Sequence, residues 1–376
     1  MAIEDTSSGK ETNNNLGFQS MDAGTQPPEY FKKRMSPLRF KIREMLVPYT
    51  DHQSEQLYAL QKKYRTPFRD IYFKYSSLMG AHTFYVMFVP IPSWLGNHEM
   101  VCDLVYILGY SIYLSGFLKD YLCLPRPQAP PLERITLSSY TKMEYGAPSS
   151  HTATATSTSL YYIWKVWHVQ SLSLTMKFFL ASLIVFYYVT LVFGRVYCGM
   201  HGFLDLVTGA IVGVVCVVGK LVAPIILKKF YTEDYALYPL FSISFALFLL
   251  FWHVKPIDKC PCFEDSVAFI GVVSGIEWGD WINKRYQINR TYISGNVSNS
   301  PLEICMKLIV GVTLISLWMY VISKPLITKI MSRFVDISKI VKNDGIDIIR
   351  RFFRYAGIAL TVVCICPFAF TKLHIT

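Results

Sequence analysis

Along this chain, apolar stretches of about 20 residues alternate with shorter polar or charged ones, and about 20 is the length a helix needs to cross the hydrocarbon core of a bilayer. The blocks lie near 76–95, 99–118, 152–168, 174–194, 203–225, 236–254, 266–282, 302–323 and 353–371. The pattern predicts an all-α, polytopic transmembrane helix bundle of about 8–10 spans. Two blocks are irregular. The one from Thr152 opens with Thr154, Thr156, Ser157 and Ser159, small polar groups suited to helix–helix contact rather than lipid. The one from Ser266 follows Glu264 and Asp265 and contains Glu277 and Asp280, so it is expected to fall short of a full crossing or to line a polar cavity. Gly202, Gly209, Gly213 and Gly219 favour close backbone approach on a single helix.

Outside the blocks the composition changes twice. Residues 1–28 are rich in Ser, Asn, Thr and Gly, bury too little apolar surface to offset ordering entropy, and read as a disordered tail without a signal-peptide apolar region. Residues 29–75 are basic and aromatic, with Lys32, Arg39, Arg43, Lys63 and Arg69 between Phe40, Leu46, Tyr58 and Phe68. Such dense charge excludes a span. It fits either an amphipathic helix at the headgroup level or a solvated helix packed on its own protein.

Composition sharpens the picture. With 52% hydrophobic and 17% charged residues, the chain has too little polar surface for a soluble fold. The net charge of +11 comes largely from segments flanking the apolar blocks, where anionic headgroups attract Lys and Arg, so the bilayer rather than nucleic acid is the expected partner. Nine cysteines form no disulfide framework; most lie in or beside apolar blocks, and Cys260 and Cys262, in a loop, are the pair placed to meet an oxidant.

Three charged clusters sit at block ends, where ionisable groups are costly and informative. Lys119 and Arg126 close the second block, with Pro125 and Pro127 fixing the backbone around the guanidinium. Ser149, Ser150 and His151 open the third; either serine can cap the helix, whose first amides make an anion site. Arg195, His201 and Asp205 join the fourth and fifth. If that helix begins near His201, the four-residue step brings Asp205 beneath it, fixing the imidazole tautomer and freeing its other nitrogen for attack. By span count all three clusters emerge at one membrane face, where three cations suit a phosphate monoester.

These residues resemble the type 2 phosphatidic acid phosphatase (PAP2) superfamily, whose signature is Lys, six residues, Arg-Pro; then Pro-Ser-Gly-His; then Ser-Arg, five residues, His, three residues, Asp. Lys119–Pro127, Pro148–His151 and Arg195–Asp205 keep every spacing over roughly 100–225. Pro-Ser-Ser-His and Arg-Val-Tyr-Cys-Gly-Met-His are similar to the sphingosine 1-phosphate phosphatase branch, in its fungal long-chain base form. Two positions depart from the superfamily pattern: Ser150 stands for Gly, narrowing the approach to phosphate, and Gly194 for Ser, removing a hydroxyl.

The resemblance implies a six-helix catalytic core within 76–254, followed by additional C-terminal membrane helices over 255–376. It implies His201 as nucleophile, Asp205 as its orienting acid, His151 as general acid and base, and Lys119, Arg126, Ser149, Ser150 and Arg195 around the phosphate. No cofactor and no metal are expected. The implied substrates are sphingosine, dihydrosphingosine and phytosphingosine 1-phosphates; apart from the resemblance, Asp120 and Glu144 are acids near the clusters and candidates to pair with the ammonium. The alternatives are a PAP2-type phosphatase acting on phosphatidate, isoprenoid diphosphate or sugar phosphate, and a non-enzymatic lipid transporter or scaffold. The oligomeric state is not readable, and the spans after residue 225 are candidates for a homodimer contact. The resemblance also implies the endoplasmic reticulum membrane with a luminal site. Counting Lys and Arg makes 31–74 and 324–354 cytosolic, and the span count sets both at the face of the site. Sugar on the sequons at Asn289 or Asn296 would fix that loop as luminal.

Overall fold

The structure is a computed structural model that describes residues 22–138, 140–227, 237–258, 260–295, 297–333 and 344–375. The tail expected to be disordered lies outside them as far as residue 21. The described residues are helical, with no strand among them. Short helices come first: α1 (Pro28–Lys32), α2 (Pro37–Leu46), α3 (Gln53–Tyr64) and α4 (Pro67–Ser76). The first apolar block is broken into α5 (His82–Phe88) and α6 (Pro90–Trp94), since prolines 90 and 92 lack backbone donors and crowd the preceding turn. Then come α7 (His98–Leu122), α8 (Ser150–His168), α9 (Leu174–Tyr197), α10 (Phe203–Leu227), α11 (Tyr238–Trp252) and α12 (Cys262–Arg285). After the single turn α13 (Arg290–Ile293), a π-helical turn at Leu317–Ile322 joins α14 (Pro301–Ser316) to α15 (Ser323–Met331). Another at Thr361–Ile365 joins α16 (Asp344–Leu360) to α17 (Cys366–Lys372).

Among the described residues, five helices are long and apolar enough to cross a membrane alone: α7, α9, most of α10, α14–α15 and α16–α17. The chain is a multi-pass membrane protein. Lipid-facing side chains such as Phe178, Phe186, Ile211, Phe248 and Ile309 remain exposed on these helices and on α11. The Thr-rich α8 and the acid-bearing α12 are packed inside instead, α8 against α7, α9 and α10, and α12 against α7, α11 and α16. At 24 residues α12 is as long as a crossing, and its acids have partners: Glu277 accepts from Ser242, and Asp280 faces His98 at 3.0 Å. Not all the glycines act as expected. A Cβ on Gly209 would fall 2.6 Å from the carbonyl oxygen of Ser149, which caps α8, and one on Gly213 2.6 Å from that of Ala153 in α8, whereas Gly219 meets nothing within 4 Å and Gly202 faces Gln53 ahead of the helix.

Parts of the basic segment, in α2 and α3, pack on the protein, while Leu38, Met45, Phe68 and Ile71 stay exposed. Across the end of α7, Arg39 donates to the carbonyls of Tyr121 (2.6 Å) and Asp120, and Arg43 to that of Cys123 (3.3 Å). These are the carbonyls that a helix terminus leaves without partners. From α3, Gln61 donates to the carbonyls of Glu133 (2.9 Å) and Tyr197 (3.0 Å). At the opposite end the loop after α6 meets the loop before α14, where Asn299 donates to the Leu95 carbonyl at 3.2 Å. Midway along α16, Arg351 pairs with Glu264 in the first turn of α12. Both basic segments therefore lie at the end of the bundle that carries the charged clusters.

Candidate active site

Helix α7 ends at Cys123, which adopts the left-handed conformation (φ 49°) and turns the chain into Leu124-Pro125-Arg126-Pro127. Held by the two prolines, Arg126 is only 2% exposed. Its Nε donates to the Glu144 carbonyl (2.8 Å), Nη1 to the Met200 carbonyl (2.7 Å) and Nη2 to the Glu144 carboxylate (3.3 Å). Nη1 also lies 3.2 Å from His201 Nε2. Because a guanidinium only donates, Nε2 of His201 is the accepting, lone-pair nitrogen.

The other face of that ring is set by Asp205. Its Oδ2 accepts from His201 Nδ1 (3.1 Å) and from the Gly202 amide (3.0 Å). The helix begins at Phe203 rather than His201, so the carboxylate reaches back over its own N-terminus. Burial, and then the cations of Arg126, Lys119 and Arg195, hold the His201 imidazole well below its ordinary pKa. A neutral ring with Nδ1 protonated and Nε2 unprotonated is the form of a nitrogen nucleophile, and here the Nε2 lone pair is held by Arg126 until a ligand draws that guanidinium away.

A cavity of about 350 Å³ is lined by Lys119, Glu144, Ser150, His151 and Arg195 among others; Arg126, His201 and Asp205 are not in its lining and meet it through Glu144, which pairs with Arg126. The His151 ring lies over Gly80, where an added Cβ would stand 2.7 Å from it. Arg195 is buried, yet its Nε has no hydrogen-bond partner. A buried donor left open at a cavity wall is what an anion satisfies. Ser149 is placed differently. It caps α8 by accepting from the Thr152 amide (3.3 Å), and its own amide donates to the Asp205 carbonyl (2.9 Å). Of the two serines, Ser150 faces the cavity. Gly194, the position without the usual hydroxyl, packs against Phe73, whose ring would lie 3.1 Å from a Cβ there.

Glu144 is the residue whose position sequence reasoning missed. Its carboxylate pairs with both Lys119 and Arg126, standing where an anion would be received. Burial pushes this carboxyl up, but the two cations outweigh it and hold the group below its ordinary range. No spacing in Met143-Glu144-Tyr145 announces this. Its expected role beside an ammonium does not match the geometry, since both neighbours are cations. Asp120 does not match either: it points behind α7, buried 3.9 Å from His253, and neither carboxylate oxygen has a hydrogen-bond partner.

Two trios of metal-ligating side chains occur among the described residues, His98 with Cys102 and Asp280, and Asp120 with Cys260 and Cys262; neither includes a residue of the His201 cluster. Cys260 and Cys262 are joined as a disulfide.

The chain is also similar to known proteins. A family model described as the PAP2 superfamily matches residues 100–229. A dihydrosphingosine 1-phosphate phosphatase of Saccharomyces cerevisiae is 48% identical over 93% of this chain and 91% of its own length. One from Schizosaccharomyces pombe is 35% identical, covering 75% of this chain and 68% of its own. The lipid phosphate phosphatase delta of Arabidopsis thaliana is 31% identical over 64% of this chain and 59% of its own. No solved structure matches the chain.

Proposed function

This chain belongs to the PAP2 superfamily, in the group of fungal dihydrosphingosine 1-phosphate phosphatases, and from that premise we propose how its site works. It is an integral-membrane phosphatase that hydrolyses sphingoid long-chain base 1-phosphates to the free base and phosphate. His201 Nε2 attacks phosphorus in line with the ester oxygen, and the P–O bond breaks as a P–N bond forms. His151 gives the departing alkoxide its proton, then takes one from the water that attacks the phosphohistidine and returns His201. Asp205 keeps Nδ1 protonated and stabilises the charge that develops on the ring. Lys119, Arg126, Arg195 and groups around Ser149 and Ser150 receive the phosphate oxygens. The observation that carries this reading is the His201 ring held between Asp205 at 3.1 Å and Arg126 at 3.2 Å.

The test is phosphate release by the purified chain in detergent–lipid micelles. Dihydrosphingosine 1-phosphate is expected to be turned over with a higher kcat/KM than phosphatidate, with inhibition by orthovanadate and none by a metal chelator. His201→Ala is expected to lose turnover, and full activity in that variant ends the mechanism. A preference for phosphatidate, an isoprenoid diphosphate or a sugar phosphate would move the substrate class. Absence of release from any of them would favour a lipid transporter or scaffold. Family membership further supports residence in the endoplasmic reticulum membrane with the site facing the lumen. The helices after residue 225 are our choice for a homodimer contact.

A further inference from the structure

The cavity beside His151 does not end at the charged groups. At His82 it adjoins a narrower, apolar cavity of about 70 Å³. On α7, Val101, Val105 and Leu108 line the apolar part, and Ile112, Gly116 and Lys119 the polar part. Steps of three or four residues keep all six on one helix face. From Val101 to Lys119 that stripe runs about 27 Å along the axis. Helix α12 repeats the arrangement: Phe269, Val272 and Ile276 line the apolar part, and Asp265, one turn before Phe269, lines the polar part.

Asp265 differs from the other acids near the site. Glu144 is held by Lys119 and Arg126, and Asp205 by His201 and Gly202. The Asp265 side chain is 16% exposed; its Oδ1 accepts from the Tyr140 hydroxyl at 3.1 Å and lies 3.6 Å from His82 Nδ1. Among the described residues it forms no ion pair with a lysine or arginine. The polar cavity thus carries cations on α7 and α9 and, on α12, a carboxylate without such a cation.

We propose that Asp265 is the counter-charge for the ammonium of a single-chain amino-alcohol phosphate, whose phosphate meets Lys119 and Arg195 and whose chain follows the stripe between α7 and α12. In such a lipid the amine sits on the carbon next to the one bearing the phosphate ester, so one headgroup presents both charges to one cavity. A diacyl phosphate has no amine and two chains, and the stripe is a single file. Helix α12 also lies outside the 100–229 match, so discrimination falls to a helix added to the shared catalytic core. The inference rests on the phosphatase reading above and names the residue that tells an amine-bearing chain from a plain one.

The experiment compares dihydrosphingosine 1-phosphate with octadecyl phosphate, which has the same chain length and no amine, using the full-length chain in detergent–lipid micelles. The wild-type chain is expected to prefer the amine-bearing substrate. In Asp265→Asn that kcat/KM ratio is expected to fall about tenfold or more, the effect of one hydrogen bond to a charged group. The fall should appear in KM rather than kcat, and Asp265→Glu should restore part of it. A wild-type chain without the preference overturns the proposal, as does an Asp265→Asn variant that keeps the wild-type ratio, including one that loses both activities in proportion. Phosphate release from neither substrate by the wild-type chain would instead bring down the phosphatase reading, and this proposal with it.

Discussion

Glu144 and His201 share one guanidinium, and that sharing sets the resting state of the site. Arg126 offers Nη2 to the carboxylate and Nη1 to the imidazole, while Lys119 pairs with the same carboxylate. An incoming phosphate can therefore meet the open donor of Arg195 first, and must displace Glu144 before it can reach Lys119 or Arg126. Glu144→Gln keeps the shape and removes the competing charge, so phosphate and orthovanadate are expected to inhibit about tenfold more tightly, ~1.4 kcal/mol. Without ligand, the same variant leaves two buried cations short of a partner and should melt at a lower temperature. Unchanged inhibition constants would mean that the carboxylate does not compete. His201 and Asp205 are four residues apart, and local backbone geometry alone brings them together. Glu144 lies 25 residues from Lys119 and 18 from Arg126, and only the path of the loop connects them.

At the scale of helices, the fit of α8 to α10 holds the two histidines near one another. Ser149 caps α8 and donates to the Asp205 carbonyl, and two turns on, α10 rests on the Ala153 carbonyl at Gly213. Gly213→Leu should force the helices apart at a cost of about 1–3 kcal/mol, seen as a lower melting temperature with loss of turnover. Gly219→Leu, on the same helix with nothing within 4 Å, should leave both near wild type. Equal effects from the two substitutions would contradict close packing as the role of Gly213. The apolar blocks announced most of the helices. They did not announce that the first would break at its prolines, or that the acids of α12 would find partners on α7 and α11.

For the whole molecule, orientation is the open contrast. Both basic segments lie at the site end, which a count of positive charge makes cytosolic. Part of that charge is engaged by the protein: Arg39 and Arg43 cap α7, and Arg65 pairs with Glu133 and Asp70. The count therefore overstates the free charge available to anionic lipid. A luminal site makes the 286–300 loop cytosolic, so Asn289 should carry no sugar; its amide also donates to Asn283 and to the Cys364 carbonyl, both at 3.1 Å. Asn296 lies outside the described residues. Asp22, the first of the described residues, pairs with Arg134 at the site end. Lys10→Asn creates an Asn-Glu-Thr acceptor in the segment before it, expected to be glycosylated and to shift on endoglycosidase treatment if the site is luminal. The reverse pattern, sugar on the 286–300 loop and none on the tail, would put the site in the cytosol. By itself the sequence determined an all-helical membrane bundle, the three motif clusters and the His201–Asp205 pair, because apolar length and helical period act over a few turns; of the about 8–10 spans it suggested, five among the described residues are long and apolar enough to cross alone. The tertiary structure alone decided which acids face the cavity, with Glu144 among the cations, Asp265 on the wall and Asp120 behind α7. The reason is that their neighbours come from distant helices whose packing no local rule fixes.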